Sequence, residues 1–144
     1  MLQASRAMVA IVARSFDDGP DDVTLVQFRA LVVLRAEPEA NLGHLAAALG
    51  VTPSSATRMC DRLVERGLVA RSDAPDNRRE IRLSLTPAGR RLVDRATRNR
   101  RRLLETVLAA MPSTEAERLL PVLEAFTDAT VRTMGQSWPD AEIP

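Results

Sequence analysis

The chain has 144 residues, the size of one domain, and 45% of them are hydrophobic, enough for a real core. Aromatic residues make up only 3%, so Leu, Val and Ala must supply that core, which favours helices. No apolar run reaches membrane-spanning length, no charged n-region precedes an apolar h-region, and one Cys forms no internal disulfide, so a cytoplasmic chain is expected. The net charge of +1 hides an asymmetry. Residues 58–102 carry 14 Arg against 6 acidic residues, a net +8, whereas the remainder carries 6 Arg and 13 acids, a net −7. A basic middle between acidic flanks is the pattern of a polyanion-binding module attached to something else.

Leu2, Met8, Val9, Ile11, Val12 and Phe16 fit one face of a first helix. The run from Asp17 to Asp22 predicts a loop. Thr24 is placed to cap a second helix running to about Ala36, with Leu25, Phe28, Leu31, Val32 and Leu34 as its apolar face, and Glu37-Pro38-Glu39 ends it. Asn41 is placed to cap a third helix.

The stretch from Leu42 to Arg66 organises the rest. Leu42, Leu45, Ala46 and Leu49 fall at helical spacing, and Gly50, free of a Cβ, suits a left-handed stop. Thr52 and Pro53 are a cap followed by a residue that needs no N–H, opening a fourth helix. That helix has a buried stripe of Ala56, Met59, Cys60, Leu63 and Val64. Ser54, Ser55, Thr57, Arg58, Asp61 and Arg62 lie off it. Two helices joined by a short Gly-containing turn describe a helix-turn-helix. Hydroxyls and N–H groups at a helix N-terminus suit phosphate oxygens, and Arg58 and Arg62 have the reach for guanine O6 and N7 in a major groove. The bland alternative is a helical hairpin with a solvated polar face.

The chain beyond Arg66 favours the helix-turn-helix. Gly67 ends the fourth helix, Leu68 to Arg71 is extended, Asp73 to Arg78 is turn-rich, and Glu80 to Leu85 alternates, with Ile81, Leu83 and Leu85 on one face. Two strands around a basic loop make a hairpin wing. Its tip arginines, Arg78 and Arg79, suit a minor groove, with Asp76 bracing one of them. Thr86-Pro87 repeats the cap-then-proline device and opens a long helix to about Met111, roughly 36 Å at ~1.5 Å per residue. After Pro112, Thr114 and Glu117 suggest a capping box for a last helix with Leu119, Leu120, Leu123, Phe126 and Met134 on its apolar face. Pro121 predicts either a kink or a late start there. A frayed tail is expected from Gly135 onward.

The fold expected is therefore mainly α with a small β-hairpin wing. It divides into an N-terminal dimerisation helix and loop (1–22), a winged helix-turn-helix (23–86), and a long linker helix with a C-terminal dimerisation helix (87–144). The first and last helices each present an apolar face with no obvious partner in one chain. Pairing them with a second copy buries both and sets two reading helices about one DNA turn apart, roughly 34–36 Å. Packing of both helices on the chain's own winged domain is the alternative.

From Val23 to Leu92 the chain resembles the MarR family of bacterial winged helix-turn-helix regulators. The likeness rests on Thr24-Leu25-Val26-Gln27-Phe28, on Leu45-Ala46 with Leu49-Gly50-Val51, on Arg62 through Val69, and on Asp73 through Arg79 with Leu85-Thr86-Pro87-Ala88-Gly89. The resemblance implies a homodimeric regulator, usually a repressor, that binds palindromic double-stranded DNA and responds to a small phenolic or anionic ligand. It assigns DNA contacts to Ser54, Ser55, Thr57, Arg58 and Arg62 and to Arg78 or Arg79. Asn77 stands where an arginine is common. By position only, Phe16, Gln27, Arg29 and Leu31 are ligand candidates. The cysteine near the N-terminus that some relatives use to sense oxidants is not in this sequence. Cys60 sits on a predicted buried stripe, as inert packing. His44 has no second His or Cys near it for a metal site.

No metal, cofactor or enzymatic activity is expected. The sequence holds no glycine-rich phosphate loop, no metal-spaced Cys/His set and no nucleophile paired with a base. A winged helix serving protein–protein contact is the alternative of a different class.

Overall fold

A computed structural model describes residues 1–16, 23–38, 40–74 and 77–134, the side chains of 74–80 and 134 excepted. Its elements in chain order are α1 (Leu2–Arg14), α2 (Leu25–Ala36), β1 (Ala40–Asn41), α3 (Leu42–Leu49), α4 (Pro53–Glu65), β2 (Val69–Ala74), β3 (Asn77–Leu85), α5 (Pro87–Ala109) and α6 (Ser113–Met134). They divide into two compact units. Residues 21–94 form one; residues 1–20 and 95–136 form the other.

The unit of residues 21–94 is built on α2. Thr24 and Gln27 cap it reciprocally: the Gln27 N–H donates to Thr24 Oγ1 at 3.3 Å, and the Thr24 N–H donates to Gln27 Oε1 at 2.9 Å. Phe28, Ala30, Leu31, Val32, Val33 and Leu34 are all buried, so α2 is enclosed on nearly every side rather than amphipathic. Leu25, expected on the apolar face, is 53% exposed, because the first residue of the helix lies beyond the reach of the core. Val33 is buried in addition. Leu45 and Leu49 from α3, Leu63 and Cys60 from α4, Val69 from β2, Leu83 and Leu85 from β3, and Leu92 and Val93 from α5 join them in the core. Each large side chain taken fully out of water contributes roughly 1.5–3 kcal/mol before chain entropy is counted.

The sheet has three strands rather than the two expected, in the order β1-β3-β2, all antiparallel. β1 is only Ala40 and Asn41, opposite Leu83 and Arg82. β2 pairs Val69 with Leu85 and Asp73 with Ile81; the register then shifts, and Ala74 pairs with Asn77. Residues expected in a turn, Asp73, Ala74, Asn77 and Arg78, thus belong to strands, and Pro75 and Asp76 lie outside the described residues. Ile81 shares a face with Leu83 and Leu85 but is 47% exposed.

In the other unit α1 buries none of its residues. Just after it, Ser15 is buried, its hydroxyl donating to the Val12 carbonyl at 2.6 Å, and Asn99 Nδ2 of α5 reaches the Ser15 carbonyl at 3.4 Å. α6 starts at Ser113 and runs through Pro121, which overturns the late start. The expected capping box at Thr114 and Glu117 is not formed: the Pro112 carbonyl takes the N–H groups of Glu115 and Ala116, both at 3.0 Å, and Thr114 lies inside the helix. Leu119 and Leu123 are half-buried, whereas Leu120, Val122 and Phe126 are 63%, 63% and 59% exposed. The loop expected from Asp17 to Asp22 and the tail from Gly135 lie outside the described residues. Among the described residues no helix is long and apolar enough to cross a membrane.

Candidate nucleic-acid interface

The turn between α3 and α4 positions everything on α4. Asn41 Oδ1 caps α3 by accepting the His44 N–H at 2.8 Å. Gly50 ends it at φ 66°, a conformation glycine adopts without a Cβ clash. Two residues later Thr52 caps α4 and Pro53 fills its first position. The guanidinium of Arg29 on α2 donates to the Ala48 carbonyl in the last turn of α3 at 3.1 Å, tying the motif to the central helix.

The two sides of α4 differ sharply. Ala56, Met59, Cys60 and Leu63 face the core. Ser54, Arg58 and Arg62 are exposed, and Ser55, Thr57 and Asp61 are half-buried. Arg58 and Arg62 lie one turn apart, ~6 Å along the axis, and among the described residues neither side chain forms an ion pair or hydrogen bond. The half-buried Val64 is only partly in the expected stripe.

The hydroxyls at the start of α4 are largely engaged with one another. Thr52 Oγ1 accepts the Ser55 N–H at 3.3 Å, donates to Ser55 Oγ at 3.0 Å, and sits 3.2 Å from Ser54 Oγ. With the Thr52 proton committed to Ser55, Ser54 is the donor in the last contact. Thr57 donates to the Pro53 carbonyl at 2.9 Å. Ser55 is therefore the hydroxyl whose proton is left for an incoming acceptor.

Arg58, Arg62 and Ser55 line an open cleft of about 400 Å³ together with Thr24, Val26, Gln27, Val51 and Met59. Two cations and a hydroxyl face apolar surface across it. The position-only ligand candidates are not gathered there. Leu31 is fully buried in the core, Gln27 touches the cleft but closes the α2 cap, Arg29 holds α3, and Phe16 belongs to the other unit. The sequence signal for the cleft was the interval joining Thr24-Leu25-Val26-Gln27 to the motif, and nothing local marked it as concave.

On the wing, Arg71 of β2 donates to Asp61 of α4 at 2.6 Å. Arg78 and Arg79 have their backbone in β3, between the two pairings where the register shifts; their side chains, and Asp76, lie outside the described residues. Burial pushes the Cys60 thiol above its ordinary range; the neighbouring Arg71 pulls it down and Asp61 pushes it up. Its side chain is fully buried. His44 Nε2 lies 2.5 Å from Glu37 Oε2, and no group of three or more His, Cys, Asp or Glu able to hold a metal occurs among the described residues.

A polar-faced helix set on a glycine turn, backed by a helical core and flanked by an antiparallel hairpin, defines a winged helix-turn-helix protein. A MarR-family model matches residues 23–81. The solved structure of Rv1404 from Mycobacterium tuberculosis is 40% identical, with a TM-score of 0.84 over 94% of this chain and 90% of that one. The uncharacterized HTH-type transcriptional regulator Mb0904 of Mycobacterium bovis is 33% identical over 104 residues, 72% of this chain and 73% of the relative. The transcriptional repressor MprA of Escherichia coli is 29% identical over 94 residues, 64% of this chain and 53% of the relative. The chain spans about half the length of two curated relatives, MprA among them (50% and 53%). It belongs to the MarR family of transcriptional regulators, a family that is not enzymatic.

Proposed function

We propose that this chain is a cytoplasmic, sequence-specific double-stranded DNA-binding regulator, acting as a homodimeric repressor on palindromic operators. The observation that carries the reading is the outer face of α4: Arg58 and Arg62 lie one turn apart, opposite the side that buries Ala56, Met59, Cys60 and Leu63. Arg58 and Arg62 address base edges in the major groove, Ser54, Ser55 and Thr57 lie beside phosphates, and Arg78 or Arg79, with Asp76 bracing, enters the minor groove. In this reading 23–86 reads DNA, while 1–22 and 87–144 join two copies. Support for the second copy comes from α1, which buries nothing, and from the exposed Leu120, Val122 and Phe126 of α6. MprA, named a repressor, supports the sign of regulation.

The cleft beside α4 supports response to a small phenolic or anionic effector. A carboxylate or phenolate would pair with Arg58 and Arg62 while its ring covers Val26, Val51 and Met59. Such an occupant takes both arginines from DNA, so binding of effector and of operator would be mutually exclusive.

The test is fluorescence anisotropy of the purified protein with an imperfect palindrome from the DNA beside its own gene, over a salt series. Saturable binding is expected as two chains per duplex, with log K falling by about 0.9 per phosphate contact as log salt rises. A flat salt response or no binding in dilute buffer would favour the protein–protein module instead.

A further inference from the structure

Asp61 is a carboxylate on the face of α4 that carries the exposed arginines. Left alone, it would act against a polyanion in two ways. It would repel phosphates, and it could draw in Arg58, which lies three residues before it on the same helix, at the spacing where opposite charges meet. The pairing with Arg58 is absent among the described residues: the partner of Asp61 is Arg71, ten residues on, reaching across from β2 at 2.6 Å. Arg58 is left without an ion pair among the described residues.

The pair does little for stability. Its side chains are 34% and 44% exposed, and such pairs hold little net free energy. Its effect lies in what the two charges do to their surroundings. We propose that Arg71 masks Asp61, cancelling a negative charge on the reading face and leaving Arg58 unclaimed for nucleic acid. Arg71 is thus a positioning residue that acts through Asp61. The proposal rests on the DNA-binding reading.

A double-mutant cycle tests it. Unaltered protein, Asp61→Asn, Arg71→Met and the double variant are titrated with a mixed-sequence duplex three helical turns long, at several salt concentrations. Thermal melts check that each variant is folded. Arg71→Met should bind about five- to tenfold more weakly, the scale of one unit charge released near phosphates at a wet surface. Asp61→Asn should bind at least as well as the unaltered protein, since it frees the Arg71 charge, and the double variant should return to about the unaltered level, because no carboxylate then remains to be masked. The salt slope should stay the same in all four. If Arg71 touches a phosphate itself, the double variant stays weak and its slope falls by about 0.9. If the pair merely braces the wing, both single variants and the double lose affinity alike. Either result overturns the masking role. Failure of the unaltered protein to bind in dilute buffer removes the DNA reading itself, and the role of the pair with it.

Discussion

Replacing Gly89 by Ala should destabilise the fold, although it swaps the poorer helix former for the best. Gly89 is the third residue of α5, where the helix starts against the strand leaving α4. A Cβ there would lie 2.1 Å from the Leu68 carbonyl oxygen, 3.1 Å from its carbon and 3.3 Å from Leu85 Cδ2. The oxygen cannot easily retreat, because it accepts the Thr86 N–H at 3.1 Å. Thr86 in turn donates from Oγ1 to the Gly67 carbonyl at 2.6 Å and accepts the Gly89 N–H at 3.1 Å. Relief requires the two backbones to part by roughly 1 Å, at an overpacking cost of about 1–3 kcal/mol. One strained hydrogen bond adds about 1 kcal/mol, and helix propensity returns about 1 kcal/mol. The net loss is about 2 kcal/mol, a fall in Tm of about 4–8 °C for a chain of this size. Gly43→Ala is the control. Its Cβ would meet only Asn41 Oδ1, at 3.5 Å, so propensity acts alone and Tm should rise. Thermal unfolding of both variants at equal protein concentration measures the difference. A Gly89→Ala protein as stable as the parent would refute the close approach of α5 to Leu68.

Arg58→Ala and Arg62→Ala should each lose ~1–3 kcal/mol on the cognate site and relax base preference at one position; competition binding against single-base variants of the site measures this, and equal loss on every sequence would reduce both to phosphate contacts. Leu120→Asp with Phe126→Asp should convert a dimer to a monomer, seen by light scattering, because charge would enter the exposed apolar face of α6; an unchanged mass would show that the second copy sits elsewhere. Cys60 makes a pH prediction. The folded thiol keeps its proton to a higher pH than the unfolded one. Its stabilising effect is therefore complete below the ordinary thiol range and declines as pH rises through that range toward the raised value. Between about pH 8 and pH 10 the parent should lose more Tm than Cys60→Ala, and parallel curves would deny the thiol any part in alkaline unfolding.

What the sequence disclosed was chemistry that acts within a few residues. Thr24 with Gln27, Asn41, Thr52 with Pro53, and Thr86 with Pro87 each satisfy N–H groups three or four positions away, so helix starts were legible. Gly50 and Gly67, both at φ 66°, were legible as stops for the same reason. Periodicity gave faces but not the extent of the core: Leu83 is 1% exposed and Ile81, two residues away on the same face, 47%. β1 has no pattern of its own, being two residues that count as a strand only because β3 offers its edge. α6 starts one residue before the expected cap, with the Pro112 carbonyl taking its first N–H groups, so Thr114 lies inside the helix. The contact of Asp61 with Arg71 and the cleft beside α4 need tertiary placement, and no spacing rule encodes either.

The hydroxyl arrangement at the start of α4 also decides which of its atoms can meet a phosphate. Pro53 has no N–H, the Ser55 N–H is taken by Thr52 Oγ1, and the Ala56 N–H by the Thr52 carbonyl at 3.0 Å. In the first turn this leaves the Ser54 N–H, beside the one uncommitted proton on Ser55 Oγ. A phosphate at this helix N-terminus would therefore take one backbone donor and one side-chain donor. Ser54→Ala keeps the backbone donor, so DNA affinity should hardly change. Ser55→Ala removes a donor to a charged acceptor, worth roughly 1.5–3 kcal/mol, and should weaken binding at least tenfold. Thr57→Val should resemble Ser54→Ala, since its proton is already given to Pro53. Anisotropy titrations of the three variants on one duplex would rank them. Equal losses for Ser54 and Ser55 would mean that the hydroxyls exchange protons freely on binding, and that the order seen around Thr52 does not govern contact.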